Sequence, residues 1–207
     1  IKDPDRYTAI QHFGFSEMEW EAISTFFKHY KMEMPEIPII DPEFKNPLFL
    51  KIFCEAYAGR KDKTPRGHGA THVFEQYVET QSKRVLTELG LKLPRDYLWK
   101  RVIKEMGVWM GKNGKARMLR PKLLEIVAHD TNLSAHSSHL ISLMEHHGLL
   151  IKYPSYARDG KRKGYGYSFT YNRFSDHLIV RSALTENKID SPDAAKAFFL
   201  QSSFLQR

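Results

Sequence analysis

The sequence predicts a mainly α-helical chain in two parts, the second ending in a small β-hairpin. Apolar residues recur at steps of three and four over most of the chain, the spacing of helices with one buried face. Two short runs break that rhythm, Leu149-Leu150-Ile151-Lys152-Tyr153 and Tyr165-Gly166-Tyr167-Ser168-Phe169-Thr170-Tyr171, and read as strands. The 207 residues are 42% hydrophobic, enough core for one large domain or two small ones.

The elements follow in order. Ser16-Glu17-Met18-Glu19 has the Ser-x-x-Glu form of a capping box, so a helix should start there, with Trp20, Ile23, Phe27 and Tyr30 on one face to about Lys31. Pro35, Pro38 and Pro42 exclude a helix interior and make Met34 to Pro42 an extended connector. Asn46-Pro47 reads as an N-cap and a first-turn proline, continued by Phe49, Ile52, Phe53 and Ala56 at helical spacing. Gly59 to Gly69 is rich in Gly and charge and lacks periodicity, which reads as a mobile basic loop. Phe74, Tyr77, Val78, Val85 and Leu89 mark a third helix closed by Gly90. The stretch Leu91 to Pro94 is the expected domain boundary.

From Asp96 three short helices are expected. Their faces are Leu98, Val102, Met106 and Trp109; then Leu123, Ile126 and Val127 after Pro121; then Leu140, Leu143, Met144 and His147, ended by Gly148. The two strands follow, joined by Pro154 to Gly164, which holds Arg158, Lys161, Arg162 and Lys163. Three helices, a strand, a basic loop and a strand is the order of a winged helix. Arg173 to Leu184 reads as helical, and Ser191-Pro192-Asp193 starts a last helix whose apolar face, with Phe198 and Leu205, has no partner left in the sequence. That face, and an opening Ile1-Lys2-Asp3-Pro4 without Met or signal segment, read as a piece of something longer. The expected division is 1–93, a helical subdomain; 94–186, the winged helix; and 187–207, the start of a further helical region.

Composition narrows the function classes. A net charge of +8 and a pI near 9.4 point to an anionic partner. A single cysteine, Cys54, excludes an internal disulfide framework and a Cys-based zinc finger, and favours a reducing, cytoplasmic setting. No apolar run approaches the ~20 residues that span a bilayer.

A winged helix suggests DNA binding, with Ser134 to His147 in the major groove and the basic loop on the backbone. No Arg, Lys, Asn or Gln lies within that helix, yet these are the side chains that read guanine or adenine bidentately. DNA binding by this segment is therefore the alternative, and a regulatory or protein-interaction module the preferred reading. The pairs His136/His139, His146/His147 and His68/His72 lack converging acidic or thiolate partners, so no metal site is assigned. Cys54, between Phe53 and Glu55, reads as a small buried hydrophobe. Gly111-Lys112-Asn113-Gly114-Lys115-Ala116 approaches a phosphate loop but has the wrong spacing and no hydroxyl after Lys115. No apolar strand ends in paired acids for Mg²⁺. No catalytic residue is assigned, and the chain alone is not expected to hydrolyse a nucleotide.

Two stretches carry a family resemblance. Pro42-Glu43-Phe44-Lys45-Asn46-Pro47-Leu48-Phe49-Leu50 resembles the Asn-Pro-Leu-x-Leu segment in the helical lid of STAND-class NTPases, the signal-transducing AAA+ relatives that include NACHT and NB-ARC proteins. About 120 residues later, Tyr167 to Leu178 resembles the end of their winged helix, in the form of prokaryotic antiviral, Avs-type members. The resemblance covers nearly the whole chain. It implies that the subdomain 1–93 is the lid, with Asn46, Pro47 and Leu48 on the adenine side of a bound ATP or ADP. It also implies a P-loop core elsewhere in the polypeptide that supplies the Mg²⁺ ligands, a further region that senses a viral protein, and assembly into a homo-oligomer that activates an effector. In NB-ARC relatives a Met-His-Asp motif contacts the phosphates; here Thr170-Tyr171-Asn172 stands at that place. Tyr171 donates one hydrogen bond and is not cationic, so Arg173, which can bind an oxyanion bidentately, and His177 join it as sensor candidates. For Pro47 a plain helix start, and for Arg173 a surface ion pair, are the competing readings.

Overall fold

The structure is a computed structural model that describes residues 13–34, 42–59, 70–157, 159–186, 189 and 191–201. Most of the expected connector and of the basic loop, together with His68, Arg158 and Leu205, lies outside the described residues. The chain is mainly helical with one small three-stranded antiparallel sheet, and it divides into two compact units, Ile1–Val73 and Phe74–Arg207.

The first unit contains α1 (Glu19–His29), a 3₁₀ turn (Pro42–Lys45) and α2 (Pro47–Tyr57). The capping box does not form. Ser16 donates its hydroxyl to the Phe13 carbonyl at 2.8 Å, and α1 starts only at Glu19, with no side-chain cap. Glu17 has φ of +70°, a left-handed conformation that no first-turn residue can hold, so the helix must begin after it. Ile23 and Phe27 are buried, whereas Trp20 is exposed and Tyr30 half-buried. Phe27 stacks on Phe53 with centroids 6.0 Å apart, and Phe44 meets Phe49 and Phe53 edge-on at 5.4 and 4.8 Å. These rings are the core of the unit. The Asn46 cap forms as the sequence predicts: its side-chain oxygen accepts from the amides of Leu48 at 2.9 Å and Phe49 at 3.2 Å, with Pro47 in the first turn.

The second unit is built on α3 (Ala70–Glu88), a π-helical turn (Trp99–Ile103) running into α4 (Lys104–Lys112), β1 (Met118–Leu119), α5 (Arg120–Ala128), α6 (Ser137–His146), β2 (Leu150–Tyr156), β3 (Arg162–Phe169) and α7 (Asn172–Glu186). The π turn takes more residues per turn, so the buried stripe runs Leu98, Val102, Met106 and Met110, adds Ile103, and leaves Trp109 half-exposed. The sheet order is β1-β3-β2, all antiparallel, which completes a winged helix. At two residues, β1 is too short to leave a sequence pattern. The hairpin is longer than expected. Both strands run into the anticipated loop, β2 as far as Tyr156 and β3 from Arg162, and the Ala157 amide donates to the Lys161 carbonyl at 2.7 Å. Pro154 is tolerated inside β2 because that strand is an edge, where a missing N–H breaks no ladder. The last helix, α8 (Pro192–Gln201), is started by Ser191, whose hydroxyl accepts from the Ala194 amide at 3.2 Å.

The two compact units meet at Val73/Phe74, ahead of the Leu91 to Pro94 stretch read as a boundary from the sequence. The reason lies on α3. Phe74 packs on Tyr171 and Phe174, and the Tyr77 hydroxyl donates to the Gly148 carbonyl at 2.9 Å, so the apolar stripe of this helix is satisfied by the winged helix. Gly148 ends α6 at φ of +71°, and a Cβ there would sit 3.0 Å from the Tyr77 hydroxyl. Both the turn and the approach of α3 therefore favour glycine. Its carbonyl also accepts from the Thr170 hydroxyl, which ties α6 and α3 to the end of β3.

Candidate functional site

The candidate residues fall into two groups, one in each unit. In the first unit Asn46 is exposed and spends its oxygen on the cap, which makes it a positioning group for the half-buried Pro47 and Leu48. A Cβ built on Gly14 would lie 3.6 Å from Pro47 Cδ, so the proline ring sits beside the 13–17 turn. That turn is joined to the same place by a 2.8 Å bond from the Phe15 amide to the Lys45 carbonyl. Pro47 is thus a rigid apolar ring held from both sides of a chain crossing.

In the second unit the three sensor candidates surround the start of α7. Tyr171 is buried, its ring 5.4 Å from that of Phe74, and burial pushes its hydroxyl above the usual phenol value. It remains a neutral phenol within the aromatic core. Arg173 is exposed in the first turn, where helix N–H groups and the helix dipole also favour an anion. His177 is half-buried, 6.5 Å from Phe74 between ring centroids. The structure therefore brings Tyr171 and His177 to one side chain and turns Arg173 to the surface.

Arg173, His177 and Arg181 are four residues apart and form one stripe along α7. Arg181 pairs with Glu75 of α3 and lies over the Trp99 ring at 5.6 Å. Neither Glu75 nor Arg181 stands out in the sequence alone. The i, i+4 spacing of the three basic side chains was the available signal, and Glu75 needed the docking of α3. Burial first, then Arg181, lower the His177 imidazole below its ordinary value of 6.5, against Glu75, which raises it.

This shift fixes a pH dependence. With its folded value depressed, His177 protonates in the unfolded chain first, so its contribution is whole above about 6.5 and is lost as pH falls toward the folded value. The thermal midpoint should drop between pH 7 and pH 5, and His177→Gln should flatten part of that drop. An identical pH profile in the variant would assign the dependence to other groups.

A second polar cluster also escaped the sequence. The Tyr97 hydroxyl bonds both Asp130 carboxylate oxygens at 3.0 and 2.9 Å and accepts from the Asn132 side-chain amide at 2.8 Å. It fastens the end of α5 to the start of the π turn. Cys54 is buried, and burial, followed by Glu55, pushes its thiol up to about 12, far from thiolate chemistry at neutral pH. Among the described residues no three His, Cys, Asp or Glu side chains converge on a metal position, and no helix is long and apolar enough to cross a membrane. No protein-family model and no curated protein matches the chain.

Proposed function

We propose that this chain is the regulatory part of a prokaryotic antiviral STAND NTPase, with the first unit as its nucleotide lid and the winged helix as its phosphate sensor. The observation that carries the reading is a proline-started helix in a small helical unit, followed by a winged helix whose next helix opens with an exposed arginine. The residues fit a nucleotide in part. Pro47 offers a flat apolar surface suited to adenine, and Arg173 a fork suited to phosphate oxygens. The Mg²⁺ ligands and the P-loop belong to the core elsewhere in the polypeptide.

The activity of this part is mechanical. ATP and ADP differ by one phosphate, and a lid and sensor that contact it differently in the two states shift the balance between a closed resting form and an open, oligomer-forming one in a cytoplasmic setting. The viral trigger acts on the sensing region, and the effector responds to assembly. In the full gene product, Arg173→Ala should weaken nucleotide-dependent oligomerisation about tenfold or more, the scale of a lost charge-assisted phosphate contact. The fold should stay intact, because the side chain lies at the surface. Size-exclusion chromatography with ATP and with ADP reads the outcome, and unchanged assembly together with unchanged ATP turnover would reject Arg173 as the sensor.

A further inference from the structure

We infer that the winged helix binds the backbone of duplex DNA without reading its sequence, through a cationic face built from two separate stretches of chain. The inference is independent of the nucleotide reading. Residues 112–124 hold five Lys or Arg and no acid, and residues 150–166 hold five with Asp159 as their one acid. The sequence shows the second stretch as a solvated loop and gives no sign that the first adjoins it. The sheet joins them: Met118 and Leu119 of β1 pair with Tyr167 and Gly166 on β3, the strand that leaves the hairpin.

Aromatic rings hold several of these cations in position. The Tyr165 ring carries Lys152 Nζ at 4.2 Å and Arg162 Cζ at 4.3 Å from its centroid; the Arg117 Cζ, 4.2 Å over Tyr153, lies on the other side of the sheet and is not part of this face. Flexible exposed cations lose rotamer freedom when they dock on phosphate, and cations already resting on a ring lose less. Strand alternation puts Lys152 on the sheet face of Leu150, and Tyr165 on that of Phe169, the two buried residues that turn this face to the core. The clamp of Tyr165 with Lys152 and Arg162 therefore continues, toward the hairpin tip, the side of the sheet that faces the helices.

The helix α6 suits the same partner. Its exposed residues are Ser138, His139, Ser142 and His146, Ser134 and Ala135 just before it are also exposed, and its one acid, the half-exposed Glu145, stands in the last turn. Arg120, from the start of α5, donates to the Ser138 hydroxyl at 3.2 Å, so a guanidinium stands on this face although none occurs in the helix itself. A helix of this surface can enter a B-form major groove about 12 Å wide, with cations beside it on the phosphates. Without bidentate base-reading side chains it has no sequence preference. The narrow, deep major groove of duplex RNA would exclude it.

The test is fluorescence anisotropy of the 207-residue chain with a labelled duplex of about 20 base pairs between 50 and 200 mM NaCl. The expected result is a dissociation constant of about 10⁻⁶ to 10⁻⁴ M at physiological salt, the same for a scrambled duplex, with affinity falling linearly in log[salt]. Lys152→Ala with Arg162→Ala should reduce that slope by about two and Arg120→Ala by about one, while Tyr165→Leu should weaken binding a few-fold at constant slope. Lys83→Ala with Lys92→Ala, both outside the two stretches, should leave the slope within about half a unit of the original. Circular dichroism confirms that each variant is folded, and Arg120→Ala keeps the test alive if a hairpin variant is not. Absence of salt-dependent binding, an equal loss in the Lys83/Lys92 variant, a strong preference for one duplex sequence, or tighter binding to duplex RNA or polyglutamate would each overturn the inference.

Discussion

Replacing Phe74 by Ala should destabilise the second unit by about 3–5 kcal/mol, the range for truncating a buried Phe in a tight core. The ring is only 2% exposed, and its neighbours are Tyr171 at 5.4 Å, Phe174 at 5.3 Å and His177 at 6.5 Å. Phe174 in turn meets Phe169 at 5.3 Å, so the cavity would open where α3, α7 and the end of β3 converge. Those neighbours cannot collapse into it easily. Tyr171 and Phe174 flank the first turn of α7, and the Thr170 hydroxyl ties the adjoining chain to Gly148. Since a domain is stable by only about 5–15 kcal/mol, such a loss removes a large share of the total. Urea unfolding followed by tryptophan fluorescence should show the midpoint fall with little change in slope, and Phe74→Leu should lose less than about 1.5 kcal/mol. A loss below about 1 kcal/mol for the Ala variant would mean that α3 is not docked on the winged helix, because surface-like changes stay near that limit.

That outcome bears on what the sequence could and could not tell. Local chemistry was readable wherever one residue acts on its own neighbours. Asn46-Pro47 caps α2 because an Asn oxygen and a proline φ need nothing distant, and the Gly90 and Gly148 helix ends are readable for the same reason. Ser16 shows the limit of such motifs. Its Ser-x-x-Glu spacing is correct, but the left-handed Glu17 lies inside it, and no spacing rule carries that information. Everything decided by a distant partner was hidden. The assignment of α3 depended on two distant partners, Tyr171, about a hundred residues beyond Phe74, and Gly148, 71 residues beyond Tyr77. The cluster at the start of α7 was half legible for that reason: Arg173 and His177 share a helical stripe that can be counted, whereas the burial of Tyr171 and the ion pair of Arg181 with Glu75 exist only after α3 has docked. The cationic face is the same lesson at the scale of a sheet, since a two-residue strand sets 112–124 beside the hairpin.

Gly14→Ala should damage the first unit by at least about 3 kcal/mol, from two separate causes. The residue has φ of +70°, where an alanine loses about 1–2 kcal/mol against its own carbonyl. In addition, a Cβ at Gly14 would lie 2.1 Å from the Lys45 carbonyl oxygen and 3.1 Å from its carbon. Both are backbone atoms and cannot swing aside. Relief requires the 13–17 turn to move away from the 3₁₀ turn, which breaks the 2.8 Å bond from the Phe15 amide to Lys45 and loosens Pro47 at the start of α2. Gly59 provides the control. Its φ is +74°, and nothing lies within 4 Å of the would-be Cβ, so Gly59→Ala should lose only the conformational part, about 1–2 kcal/mol. Hydrogen exchange at the α1 and α2 amides measures both losses locally, while the β2 and β3 amides report the second unit. Equal losses in the two variants would show that the Gly14–Lys45 contact contributes nothing. If the lid reading also holds, Gly14→Ala should weaken nucleotide binding by the full gene product more than Gly59→Ala does, because only the first displaces the proline ring proposed to meet adenine.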